Sequence, residues 1–240
     1  MIITKTAVVF TMLGLGLGMC GWQFLRTFRK ESSDSKAGLF LSTFIFFAAL
    51  QNITLGLGVL FFVRNAPALA SVYIITQILL ATQAFLGIYV VYYIFSKTLR
   101  IKIGMGATVA LGIILVGLTV IERPEAIITK YGNVDWAMSY PLSLATFLML
   151  SISIGSFIYI FLRLFKDAIT RKLKYFSLGL ASAGIVALAG IFVKFVLLAD
   201  VRFAVGRYIL EGGIGIAAIL FILVIIFLPA VYNLIRKSKK

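Results

Sequence analysis

Seven stretches of almost unbroken apolar residues follow one another along the chain, separated by short polar or basic connectors. They lie near 3–25, 37–63, 68–96, 103–121, 138–162, 175–198 and 206–233. Each is long enough to cross a bilayer, for which about 20 helical residues suffice. None shows the every-second-residue alternation of a barrel strand, and a helix satisfies its own backbone in hydrocarbon. The pattern predicts an all-α polytopic membrane protein, one seven-helix domain over 1–240.

Composition agrees. The chain is 62% hydrophobic and 13% charged, with a mean hydropathy of +1.09. A soluble domain carries roughly a quarter of its residues charged. The net charge of +15 would suggest nucleic acid in a soluble protein. Its placement gives another reason. Arg26, Arg29, Lys30 and Lys36, then Lys97, Arg100 and Lys102, then Arg163, Lys166, Arg171, Lys172 and Lys174, and finally Arg236, Lys237, Lys239 and Lys240 all fall in alternate connectors or the tail. The opposite side holds only Lys5, Arg64, Arg123, Lys130, Arg202 and Arg207. The positive-inside rule then puts the N-terminus outside and the C-terminus in the cytoplasm, with the plasma (inner) membrane the expected location and no nucleic-acid partner. Residues 1–25 read as an uncleaved first helix rather than a signal peptide, because no small-x-small cleavage site follows and the basic cluster comes after the segment.

The longest connector on the outer side is Glu122 to Trp136. Pro124 stops the fourth helix, and Tyr131-Gly132-Asn133 is a turn signal. A plain connector is the expected role, a lid over the outer mouth the alternative. Small residues mark where helices meet, because lipid tails supply no hydrophobic drive between them: Gly14, Gly16 and Gly18 in the first helix, Ser151, Ser153 and Ser156 in the fifth, Ala181, Gly184 and Gly190 in the sixth, and Gly212, Gly213 and Gly215 in the seventh.

Polar residues inside the apolar runs are the candidates for function. Gln51 and Asn52 on the second helix share a depth with Thr82 and Gln83 on the third. They suit cross-helix hydrogen bonds or a midplane polar site of the kind carriers use. Tyr73 and Gln77, four residues apart, share one face of the third helix. Lys194 and Glu211 are the two charges within apolar runs, one near the end of the sixth helix and one near the start of the seventh. Each alone costs about 3 kcal/mol at full depth. They would meet as an ion pair, or Lys194 would extend to the interface while Glu211 pairs with Arg207.

Two segments answer each other. Phe24-Leu25-Arg26-Thr27-Phe28-Arg29 returns 137 residues on as Phe161-Leu162-Arg163-Leu164-Phe165-Lys166, and Tyr73-Ile74 returns 135 residues on as Tyr208-Ile209. Helices one to three would then recur as five to seven in the same orientation, with the fourth as linker. This layout resembles that of the SWEET sugar carriers and the nicotinamide-riboside carriers. The SWEET prolines within the first helix of each repeat are missing here, since Pro67, Pro124, Pro141 and Pro229 lie at or near helix ends. No residue is therefore carried over.

Enzymatic chemistry finds no support. Histidine is absent, the single cysteine, Cys20, sits in an apolar run, and there is no HExxH, GxSxG or phosphate-binding loop. No cofactor or metal motif is present. The expectation is a carrier of a small polar or charged solute. The alternative is a seven-helix sensor or receptor-like module, or an accessory subunit, whose basic loop RLFKDAITRKLK would dock a cytoplasmic or membrane protein.

Overall fold

A computed structural model describes residues 4–31, 35–95, 97–128, 134–167 and 171–192. Those residues form six α-helices and one small hairpin: α1 (Lys5–Glu31), α2 (Ser35–Phe62), α3 (Ala66–Ile94), α4 (Leu99–Glu122), β1 (Ala126–Ile128), β2 (Val134–Trp136), α5 (Tyr140–Asp167) and α6 (Arg171–Phe192). Five helices, α1 to α5, are long and apolar enough to cross a membrane, a composition and length that fit an integral membrane protein. The seventh run, 206–233, lies outside the described residues, as do Lys194 and Glu211.

Most helices run past the apolar limits. α1 reaches Glu31 and α5 reaches Asp167, each carrying its basic cluster as helix. The cause is local: Arg and Lys are good helix formers, and backbone bonding does not stop where hydrocarbon stops. α3 opens on a built cap, with the Asn65 side chain accepting from Ala68 N at 3.2 Å and Pro67 in the first turn.

Neighbours in sequence pack together: α1 on α2, α2 on α3, α3 on α4, α4 on α5 and α5 on α6. α3 is the hub, packing also on α5 and touching β1. Three clusters fix the levels. At one end Cys20, Phe24, Leu41, Phe44, Val90, Phe161 and Leu180 bring α1, α2, α3, α5 and α6 together, beside the basic connectors. At mid-depth Leu80, Ala84, Leu115, Leu142 and Met149 join α3, α4 and α5. At the other end Ala7, Val59 and Leu69 close around Val134 of the hairpin.

Glycine sets the tightest approach. A Cβ added at Gly14 would lie 2.8 Å from both Ala49 O and Ile53 N, so the α1 and α2 backbones touch there. Gly56 answers from α2, where a Cβ would lie 2.6 Å from Thr11 N.

The connector after α4 is not a plain link. α4 ends at Arg123, which sits in the left-handed region (φ 44°, ψ 64°) and donates its N–H to Thr119 O at 3.0 Å. Pro124 follows and disfavours a helical Arg123; the left-handed turn costs about 1–2 kcal/mol. β1 and β2 then pair antiparallel, Ile127 opposite Asp135. Val134 N donates to Thr6 Oγ1 on α1 at 2.8 Å, and Val134 and Trp136 pack over the α1–α3 end. Glu122 closes the loop by accepting from Ser139 N at 3.3 Å and from Ser139 Oγ, while Ser139 caps α5 through Leu142 N. The two strands are a departure from an all-α chain. They form because the backbone of the six strand residues must pair once Pro124 has ended the helix.

Candidate functional site

α3 and α5 face each other along a polar seam. The buried face of α3 carries Tyr73, Thr76, Gln77 and Gln83 among Leu69, Leu80, Ala84, Gly87 and Val90. The buried face of α5 carries Thr146, Ser153 and Ser156 among Leu142, Ala145, Met149 and Ile160. Both sets repeat at three and four residues, so each is one helix face. Gly87 lets the faces close: a Cβ there would lie 2.8 Å from Ser156 Cβ.

The threonines need nothing from the seam. Thr76 Oγ1 donates to Tyr73 O at 2.7 Å and Thr146 Oγ1 to Leu142 O at 2.8 Å, each within its own helix. The longer and the more central groups are different. Among the described residues, Gln77 Oε1, Gln83 Oε1 and Ser153 Oγ on these two faces are buried with no hydrogen-bond partner, as are Ser42 Oγ, Ser151 Oγ and Ser177 Oγ elsewhere. Each such atom costs about 1–3 kcal/mol while it stays unpaired. Buried polar atoms in native proteins are normally satisfied, so three of them on two facing helix sides leave room for a further group.

The seam has a roof at the hairpin end. The Tyr73 and Trp136 rings lie 4.3 Å apart at 31°. The Tyr73 hydroxyl donates to Met138 Sδ at 3.1 Å, a weak acceptor, with the Gln77 and Thr146 side chains beside it. Trp136 belongs to the hairpin, so the fold of the connector and the closure of the seam are one event.

The residues picked out from the sequence divide three ways. Tyr73 and Gln77 share a buried face, as their spacing requires, and Gln83 joins them below. Gln51 and Asn52 are half-buried on α2, and the Asn52 amide donates to Ala48 O of its own helix at 2.7 Å. Thr82 likewise bonds Ile78 O at 2.9 Å. Asn52 and Thr82 therefore bond the carbonyl four residues back on their own helices rather than each other. Lys194 and Glu211 lie outside the described residues. Thr146 and Met138 carry no mark in the sequence pattern, and Trp136 is marked there only as the end of the outer connector. A contact across 63 residues of chain leaves no periodic signal. The small residues Ser151, Ser153 and Ser156 are legible as packing, not as the far wall of a site.

No protein-family model, curated protein or solved structure matches this chain. The resemblance to the SWEET and nicotinamide-riboside carriers thus rests on layout alone.

Proposed function

We propose that the chain is a carrier that holds a small polar solute between α3 and α5. The observation that supports this most is the set of unpaired buried atoms, Gln77 Oε1, Gln83 Oε1 and Ser153 Oγ, on the two facing helices. A solute with several hydroxyl or amide groups would supply the missing partners. Tyr73, Gln77, Gln83, Ser153 and Thr146 carry no formal charge, which favours a neutral or zwitterionic solute. The seam spans the middle of α3, the depth at which carriers hold their cargo. In this reading the basic end faces the cytoplasm, the hairpin end faces outside, and α1–α3 recur as α5 to the 206–233 segment. Asn52 bonds its own helix α2, and Lys194 and Glu211 remain a second candidate for ion coupling.

One feature favours a sensor instead. The hairpin is hydrogen-bonded to α1 and packed on three helices, a fixed roof that suits capture of a ligand from one side. Proteoliposome uptake of a panel of neutral sugars, amino acids and nucleosides separates the two. Uptake above protein-free vesicles, lost in Gln83→Leu, supports the carrier. Thermal stabilisation by a solute without uptake, also lost in Gln83→Leu, supports the sensor. Neither effect with any member of the panel overturns both.

A further inference from the structure

α3 and α5 run in the same direction and keep one register. Tyr73 meets Met138, Leu80 shares a core with Met149, and Gly87 abuts Ser156, so residue numbers rise together along both helices. Tyr73, Leu80 and Gly87 recur every seven residues and trace the line on which α3 meets α5.

The polar groups are not spread evenly along that line. Gln77 lies three residues before Leu80 and Gln83 three after it. Thr146 lies three before Met149 and Ser153 four after it. The register therefore sorts them into two levels. Tyr73, Gln77 and Thr146 stand on the hairpin side of the Leu80–Met149 contact, and Gln83 and Ser153 stand on the basic side. By the rise and turn of an α-helix, the two amides are about 9 Å apart along α3 and project about 120° apart, to either side of the line.

The layer between the levels is apolar and closed. Leu80 is 1% exposed and Met149 0%, and Ala84, Leu115, Leu142 and Ala145 pack around them. A polar solute that entered this layer would lose its hydration and find no partner. It goes from one level to the other only if the layer parts.

One member of the layer can move cheaply. Met149 is unbranched and has three rotatable side-chain bonds. Its methyl rests over Gly112 of α4, where an added Cβ would lie 3.4 Å from Met149 Cε and 3.1 Å from Ala81 Cβ. The glycine leaves the methyl its room, and a side chain there would press on it.

We propose that Leu80 and Met149 are the gate of the seam and that Met149, over Gly112, is its moving part. The inference rests on the carrier reading and deepens it. The seam is two stations, each with one glutamine and small hydroxyl partners, and the solute occupies one at a time. The cargo is then a compact polar molecule that one level can hold, not one long enough to bridge both.

Single cysteines at position 77 or 83 of a Cys20→Ser full-length chain test it. Oriented vesicles receive a small charged methanethiosulfonate reagent on the hairpin side, and mass spectrometry reads the rate of modification. Gln77→Cys is expected to react about tenfold faster than Gln83→Cys. Adding Met149→Ala should raise the rate at position 83 about tenfold and leave that at position 77 within about twofold. Adding Gly112→Ala should lower the rate at position 83 and again spare position 77. Equal rates at the two positions, unmoved by either addition, would mean one continuous seam and would overturn the gate while leaving the carrier. Rates that rise together in Met149→Ala would report a loosened bundle and overturn the gate too. Thiols that react from neither side, yet react fully after denaturation, would overturn the carrier and the gate with it.

Discussion

At the residue scale, the unusual property of Gln83 is what it lacks. Its Oε1 is buried on α3 without a partner, whereas the nearby threonines bond their own helix. An apolar side chain of similar size removes that defect. Gln83→Leu is expected to raise the thermal stability of the solute-free protein by about 1 kcal/mol and to abolish solute uptake, the two measured on one preparation. Tyr73 works the other way. Its ring is held by Trp136, and its hydroxyl donates to the Met138 thioether, a weak acceptor, beside the Gln77 and Thr146 side chains. Tyr73→Phe keeps the ring contact, so the unfolding midpoint is expected to stay within a degree or two while solute affinity falls about tenfold, the effect of roughly 1.4 kcal/mol in a binding titration. Equal losses of stability and affinity would make Tyr73 a packing residue only.

At the scale of the element, glycine positions that look alike in the sequence differ in their surroundings. Gly14 meets the α2 backbone, whereas Gly155, which corresponds to Gly18, has nothing within 4 Å of an added Cβ. Gly14→Ala is expected to destabilise the bundle by about 1–3 kcal/mol through overpacking. Gly155→Ala should be neutral or stabilising by about 0.5–1 kcal/mol, because it only removes backbone freedom from a helix interior. Thermal unfolding in detergent reads both. The pair also shows where sequence reasoning ran out. Helix number and position over the first six runs were legible, because twenty apolar residues in a row admit few alternatives. Which face of α2 or α3 points inward was not, since both are apolar around their full circumference. Gly56 and Gly87, at two of the closest approaches, look no different from Gly104 and Gly106, which touch nothing. The hairpin was hidden for another reason: its strands are three residues long, and their pairing is fixed by Thr6, Glu122 and Ser139, which are distant in sequence or unremarkable in type.

At the scale of the molecule, two ends and one seam organise the account. The basic connectors gather at the end where Phe24, Phe44 and Phe161 pack, and the hairpin closes the opposite end over α1, α2 and α3. Between them α3 buries Gln77 and Gln83 and packs on α5, with Gly87 against Ser156. Tyr73, Gln77 and Gln83 could be singled out from hydropathy, because an amide within an apolar run has few bland explanations. Their partners across the seam could not, because a serine or threonine in a membrane helix is as often packing as site. The central claim is that this seam is reached by polar solutes from both sides of the membrane. The most direct test is Gln83→Cys in a Cys20→Ser chain, reconstituted in oriented vesicles and exposed to a small charged methanethiosulfonate reagent on one side at a time. Modification from each side in turn, slowed by a transported solute, is the expected result. A thiol that reacts from neither side, yet reacts fully after denaturation, would mean a dry and solid bundle and would contradict the carrier.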